Sequence, residues 1–142
     1  MYNQYGIKLA NVLDLQVLEV AVRRSNALKV KFVIGLAKAI EEHVKPSADW
    51  KLVKEAGGSL LFPELGGSYE AFERRPLDER VAQYAAQDVK LLFQLEVAMK
   101  GKIGAFDSNW MQRVLQASVM RVNEALGPAY IDGRSRAVAP MF

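Results

Sequence analysis

The chain has 142 residues, of which 51% are hydrophobic and 25% charged, and its formal net charge is +3. This length gives room for one domain with a single core, and the composition is typical of a globular protein, not of a disordered chain. Because the sequence contains no cysteine, disulfide bonds, thiolate metal ligands and a cysteine nucleophile are excluded. The charge is only mildly basic, so it permits contact with nucleic acid without predicting it.

No apolar run reaches the roughly 18 residues that a transmembrane helix needs. The first residues carry neither the basic segment nor the apolar segment of a signal peptide. We therefore expect no membrane span, no secretory leader and an intracellular location.

The first elements predicted along the chain are a short strand at residues 12–15 and a helix at residues 16–24. A second helix is predicted over residues 30–43, because apolar residues recur there at helical spacing and a proline follows. A short third helix comes next, with Ser47 or Asp49 as its cap.

Two glycine pairs, at residues 57–58 and 66–67, bracket residues 59–63. We interpret the bracketed residues as an extended loop and the glycines as its hinges. A short helical turn is predicted at residues 69–74, before Pro76.

A long helix is predicted over residues 78–100 with Asp78 as its cap, and a last helix over residues 108–126. The chain is therefore expected to be mainly α, with at most one or two short strands. The predicted inward stripe of the last helix consists of Met111, Leu115, Ser118, Val122 and Ala125.

One face of the long helix combines apolar side chains with a single carboxylate, that of Asp88. A carboxylate in an apolar stripe is costly unless it is paired, hydrogen-bonded or bound to a cation, so we expect a cation or an arginine beside it. Tyr84 lies one turn earlier on the same face. The stripe is formed by Val81, Ala85, Asp88, Leu92, Leu95 and Met99.

Residues 75–92 resemble the third motif of the ribonuclease D-like (DEDDy) 3′–5′ exonucleases. That motif has Arg-Pro-Leu, then a helix on which a tyrosine and an aspartate are four residues apart, then Val and Leu; Tyr84 and Asp88 match the pair. A lone Tyr-x-x-x-Asp is a weak signal, whereas the whole run is specific. Phe72 stands where the family usually has Trp, and Val81 stands where Gln is frequent.

The resemblance extends upstream and covers roughly residues 2–100. Residues 5–7 resemble an aromatic-Gly-Ile segment, and residues 14–16 resemble the Asp-Thr-Gln that follows it in the family. The resemblance implies the helical C-terminal part of a ribonuclease H-like α/β exonuclease fold. We expect that part at residues 1–104, an additional C-terminal helix at 105–127 and an irregular tail at 128–142.

The family hydrolyses phosphodiester bonds at RNA or DNA 3′ ends with two Mg²⁺ or Mn²⁺ ions, which four carboxylates hold while a tyrosine orients the attacking water. The resemblance implies that Asp88 is a metal ligand and that Asp88 and Tyr84 are catalytic. Arg74, Arg75 and Arg80 either contact phosphates beside this site or pair with neighbouring acidic residues. Those acidic residues are Glu73, Asp78 and Glu79.

The other three carboxylates of the family are expected upstream of Met1. One carboxylate cannot hold two metals, so we expect the isolated chain to be inactive. It would then be a fragment of a longer exonuclease, the product of a shortened gene model, or a relative that has lost catalysis. Its partner would be a complementing N-terminal segment or a second copy of itself. The alternative is a non-catalytic module that binds nucleic acid or protein.

Overall fold

The computed structural model describes residues 5–104, 109–127 and 137–142. As predicted, these residues are mainly helical, and their strand content is an isolated antiparallel bridge between Phe32 and Val138. None of the helices in these ranges is both long enough and apolar enough to cross a membrane. The α-helices are α1 (Leu15–Ser25), α2 (Leu36–His43), α3 (Ala48–Leu61), α4 (Glu79–Lys90), α5 (Leu92–Lys100) and α6 (Trp110–Leu126).

The chain forms two compact units. Unit 1 comprises Met1–Ala39 and Glu96–Phe142, and unit 2 comprises Ile40–Leu95. The domain ranges predicted from the sequence stay predictions. Residues 105–108 and 128–136, which include the start of the predicted last helix and most of the predicted tail, lie outside the described residues.

In unit 1, α1 begins at Leu15 because Asp14 caps it. Asp14 Oδ1 accepts hydrogen bonds from the backbone N–H groups of Gln16, at 2.9 Å, and Val17, at 3.3 Å. Capping by a short acidic side chain competes with strand pairing, and the strand predicted at residues 12–15 is therefore wrong. The buried residues of α1 are Val17, Leu18, Glu19, Val20, Ala21 and Val22.

The second helix is shorter than its apolar periodicity predicted. The segment before Leu36 is extended, and it pairs with the end of the chain. Val33 N donates to Ala137 O at 2.8 Å, and Ala139 N donates to Lys31 O at 3.0 Å. Backbone hydrogen bonds to a segment distant in sequence have overridden the weak local preference for helix.

Helix α6 packs against α1 through a face that includes Ser118 of the predicted stripe but not Leu115. Asp14 N donates to Ser118 Oγ at 3.0 Å, and Arg121 Nη1 donates to Asp14 Oδ2 at 2.9 Å. Because these contacts fix the rotation of α6, Leu115 is 49% exposed and its predicted inward position is wrong. The fully or nearly fully buried residues of α6 are Val114, Ala117 and Ser118.

In unit 2, α3 continues through Gly57 and Gly58 and ends at Leu61. The interpretation of this glycine pair as a hinge is therefore wrong, and so is the predicted loop at residues 59–61. The second pair does form a turn, since Gly66 has a φ of 85° at the end of a short 3₁₀ helix, Pro63–Leu65. A second 3₁₀ helix, Tyr69–Phe72, confirms the predicted helical turn.

The long helix predicted from residue 78 to residue 100 is two helices, α4 and α5, separated by Leu91 alone. Apolar spacing continues across this interruption, so periodicity does not reveal it. The predicted cap is confirmed, because Asp78 Oδ1 accepts from Arg80 N at 2.9 Å. Val81 is buried as predicted, but Ala85 is exposed because α4 turns Tyr84 and Asp88 towards α3 instead.

Candidate functional site on the α3–α4 pair

Helices α3 and α4 pack against each other and run antiparallel. At one end of the contact, Gln87 Nε2 donates to Trp50 O at 2.9 Å. At the other end, Leu61 and Val81 belong to one buried apolar cluster. The residues of α3 between Trp50 and Leu61 therefore meet the middle of α4, where both residues of the exonuclease-like motif lie.

Lys54 of α3 contacts both motif residues. Its ammonium group forms an ion pair with Asp88 Oδ1 and lies 4.0 Å from the centroid of the Tyr84 ring. The Lys54 side chain is only 17% exposed and that of Asp88 is 31% exposed. The face of an aromatic ring attracts a cation, so the two contacts favour the same position of the ammonium. The cation partner expected for Asp88 is present, and it is a lysine.

Tyr84 is held on the same face by its other neighbours. Its ring meets Phe62 edge-on, with the ring centroids 6.2 Å apart and the ring planes at 77°. Gly57 lies directly against it, and a Cβ added at Gly57 would lie 2.7 Å from Tyr84 Cδ2. Lys54, Gly57 and Phe62 together leave the half-buried ring little freedom to move.

The side chains around Asp88 do not by themselves form a divalent-cation site. Magnesium and manganese take several oxygen ligands, and a two-metal site needs several carboxylates. Among the described residues, Asp88 belongs to no group of three or more His, Cys, Asp or Glu side chains close enough to share an ion. Its Oδ1 is already bonded to Lys54. A bound Mg²⁺ or Mn²⁺ therefore stays a prediction of the resemblance.

Of the three predicted phosphate-binding arginines, Arg80 is paired with an acidic side chain. Its Nε donates to Asp78 Oδ1 at 3.0 Å and its Nη2 donates to Asp78 Oδ2 at 2.8 Å. Hydrogen bonds from the Arg80 side chain and backbone lower the pKa of the Asp78 carboxyl from 3.8 to about 2. The same carboxylate raises the pKa of Arg80.

Arg75 and Arg74 are placed differently from Arg80. Arg75 Nη1 donates to the backbone oxygens of Phe72, at 2.9 Å, and Arg74, at 2.8 Å. The exposed Arg74 side chain makes no hydrogen bond or ion pair within the described ranges, and it lines a cleft of about 520 Å³ beside Leu77 and Asp78. The structure thus gathers the three arginines around the start of α4 without joining them to Asp88.

No family model, curated protein or solved structure matches this chain. The resemblance in residues 75–92 therefore depends on the motif itself, and membership of the exonuclease family stays a prediction.

The face of α3 that contacts the motif is recognisable in the sequence by its spacing. Trp50, Lys54, Gly57 and Leu61 are separated by four, three and four residues, which is the spacing of one helical face. A hinge at Gly57 and Gly58 would end the helix there, so this prediction divided the face between two segments. The contacts of Lys54 and Gly57 with the motif residues were therefore not predicted.

Proposed function

We propose that this chain is a member of the ribonuclease D-like 3′–5′ exonuclease family, formed from the helical C-terminal part of the ribonuclease H-like fold. It binds the 3′ ends of RNA or DNA and does not hydrolyse them as an isolated chain. The observation that supports this proposal is the placement of Tyr84 and Asp88, which lie on one face of α4 and share a single cationic partner.

The absence of hydrolysis follows from the ligands that the reaction needs. Two-metal hydrolysis requires several carboxylates to hold the ions that activate the water and stabilise the leaving oxygen. Asp88 supplies one carboxylate, and one of its oxygens is engaged by Lys54. We therefore expect hydrolysis to require a further segment that brings the remaining carboxylates. The protein is proposed to act inside the cell, as the sequence predicts.

Binding of a nucleic-acid strand is assigned to the arginines at the start of α4. Guanidinium groups bind phosphate oxygens through two parallel hydrogen bonds. Arg74 is exposed and has no side-chain partner among the described residues, so a phosphate can approach it directly. Arg80 would give up its ion pair with Asp78 to bind a phosphate. Arg75 lies between Arg74 and Arg80 in the sequence.

Fluorescence anisotropy with a 5′-labelled single-stranded oligonucleotide over a salt series tests the binding. We expect wild-type binding to weaken with salt, and the R74A/R75A/R80A variant to lose about 0.7 from the logarithmic salt slope for each phosphate contact removed. A control variant, K8A/K29A/K51A, removes three exposed lysines elsewhere and keeps the slope. No wild-type binding, or an equal loss in both variants, would contradict the proposal.

A nuclease assay tests the catalytic part separately. Wild type and D88A are incubated with Mn²⁺ and a 5′-labelled oligonucleotide, and shortening from the 3′ end is followed on a gel. We expect no shortening by either protein. A product ladder from wild type that D88A does not give would show that the isolated chain is active, and would support the family assignment while contradicting its inactivity.

The second candidate is a non-catalytic module that binds nucleic acid or protein, with a second copy of the chain as one partner. The Lys54–Asp88 ion pair favours it, because a lysine neutralises the aspartate without providing Lewis-acid chemistry. Light scattering coupled to size exclusion distinguishes the partners. A dimer whose mass is unchanged by added oligonucleotide favours protein binding, and a monomer that forms a one-to-one complex favours nucleic-acid binding.

A further inference from the structure

We infer that Lys54 stands in for a metal ion at Asp88: its ammonium group is the fixed counter-ion of this carboxylate and keeps divalent cations away from it. The inference rests on the proposed function only in that the family motif makes Asp88 an expected metal ligand. The side chains around Asp88 do not fit a metal ion, and a lysine on α3 supplies the positive charge instead.

The position of the ammonium is set by two contacts at once. Lys54 Nζ donates to Asp88 Oδ1 and lies over the Tyr84 ring, 4.0 Å from its centroid. The side chain of Lys54 is largely withdrawn from solvent. A metal ion that displaced it would break the ion pair and the cation–π contact together, and would leave the ammonium without either partner.

The charge balance also opposes a divalent cation. One carboxylate and one ammonium are already neutral together, so an added divalent ion would bring excess positive charge next to Lys54. Hard cations also require several oxygen ligands, and among the described residues Asp88 belongs to no group of three or more His, Cys, Asp or Glu side chains that could share an ion. The Lys54 ammonium group, unlike a divalent cation, pairs with a single carboxylate oxygen.

The arrangement gives the motif residues a role in helix packing. Lys54 joins α3 to α4 through both motif side chains, one turn from the place where Gly57 admits the Tyr84 ring. Tyr84 and Asp88 then hold the helix pair together with no metal. Lys54 is therefore a positioning residue for Tyr84 and Asp88.

Amine labelling of the intact chain tests the inference without any activity measurement. A water-soluble ester that acylates lysines is added to the folded protein, and the labelling rate of each lysine is followed by mass spectrometry. Lys51 is the internal control, since it is exposed and lies on the same helix. We expect Lys54 to be labelled several-fold more slowly than Lys51, and the difference to shrink in D88N.

The decisive arm adds millimolar Mn²⁺ to the wild-type protein. The inference predicts an unchanged labelling rate for Lys54, because the metal does not displace it. A rise in Lys54 labelling with Mn²⁺, absent for Lys51 and absent in D88N, would overturn the inference, since it would show that the metal takes Asp88 from the lysine. The comparison of Lys54 with Lys51 is made in the wild-type protein, so it is not affected by the loss of folding that a variant could cause.

Paramagnetic broadening by Mn²⁺ in amide NMR spectra provides a second readout. Broadening by Mn²⁺ detects even weak association with a single unpaired carboxylate, so we expect no selective broadening of amides 84–88 in wild type, selective broadening in K54M, and its loss in K54M/D88N. Equal broadening in wild type and K54M, or none in a folded K54M, would overturn the inference. Oligonucleotide binding by the arginines does not involve Lys54, so this inference and the proposed function can fail separately.

Discussion

Gly57 of α3 and Tyr84 of α4 are in direct contact, and the space for the tyrosine ring exists because position 57 has no side chain. A Cβ added there would lie 2.7 Å from Tyr84 Cδ2, and the Tyr84 Cβ is also too close to it. Since a Cβ cannot rotate away as the end of a long side chain can, the helices themselves would have to separate. This contact positions the motif tyrosine beside Lys54.

Replacing Gly57 by alanine should lower the free energy of unfolding by about 1–3 kcal/mol, the usual cost of overpacking a closely packed interior. In open space the same replacement within a helix would stabilise the protein by about 0.5–1 kcal/mol, because glycine loses more conformational freedom on folding. Urea unfolding followed by circular dichroism measures the difference. Gly58→Ala on the same helix is the control, since a Cβ there would meet the edge of the Phe62 ring at 3.2 Å, and that side chain can move by a few tenths of an ångström. A Gly57→Ala protein more stable than wild type would contradict the packing described.

The Lys54–Asp88 ion pair should show a measurable coupling energy. Exposed pairs contribute about 0–1 kcal/mol and the loss of one partner of a buried pair costs about 3–5 kcal/mol, so for this partly buried pair we expect about 1 kcal/mol. The measurement is a double-mutant cycle of wild type, K54M, D88N and K54M/D88N in urea. Strictly additive effects of the two single substitutions would show that the side chains do not interact.

The Asp78 carboxyl should titrate well below the ordinary range for aspartate. Because its folded-state pKa is lowered to about 2 from 3.8, it stabilises the folded state above the higher value. That contribution is lost as the pH falls from 3.8 towards 2. Carbon-detected NMR measures the midpoint. In R80A the pKa should rise only part of the way to 3.8, since the backbone N–H of residue 80 still donates. R74A should leave the midpoint unchanged, and an Asp78 midpoint near 3.8 in wild type would contradict the assigned hydrogen bonds.

Ser118→Ala should destabilise the protein although it removes a single oxygen. Ser118 is fully buried, and its Oγ accepts from Asp14 N at 3.0 Å. Alanine would leave this N–H without its partner at the start of α1, at a cost of about 1–3 kcal/mol. Gln116→Ala, on the exposed side of α6, is the control. Equal stability of the two variants in thermal unfolding would show that the hydrogen bond contributes nothing.

Features that follow from local chemistry could be predicted from the sequence. Asp78 caps α4, and the 3₁₀ helix Tyr69–Phe72 forms where a helical turn was expected, because both depend on side chains within a few residues. The elements that were mispredicted depend on distant partners. Residues 31–33 are extended because they pair with the end of the chain, and α3 continues through two glycines because Tyr84 packs there.

The candidate site also combines a feature that local chemistry predicts with one that depends on a distant segment. A carboxylate on an apolar stripe indicated that Asp88 would have a cationic partner, since a charge away from water needs compensation. The identity of that partner depends on which face of α3 meets α4, and only the folded arrangement shows that the partner is Lys54. For the arginines, the sequence left two alternatives open, contact with phosphates or pairing with neighbouring acidic residues. Arg80 pairs with Asp78.

The most direct test of the account is a crystal structure from crystals grown with Mn²⁺, measured at a wavelength where manganese scatters anomalously. We expect Lys54 Nζ within hydrogen-bond distance of Asp88, the Tyr84 ring beneath it, and no anomalous peak on the Asp88 carboxylate. An anomalous peak bonded to Asp88, with Lys54 displaced, would contradict it.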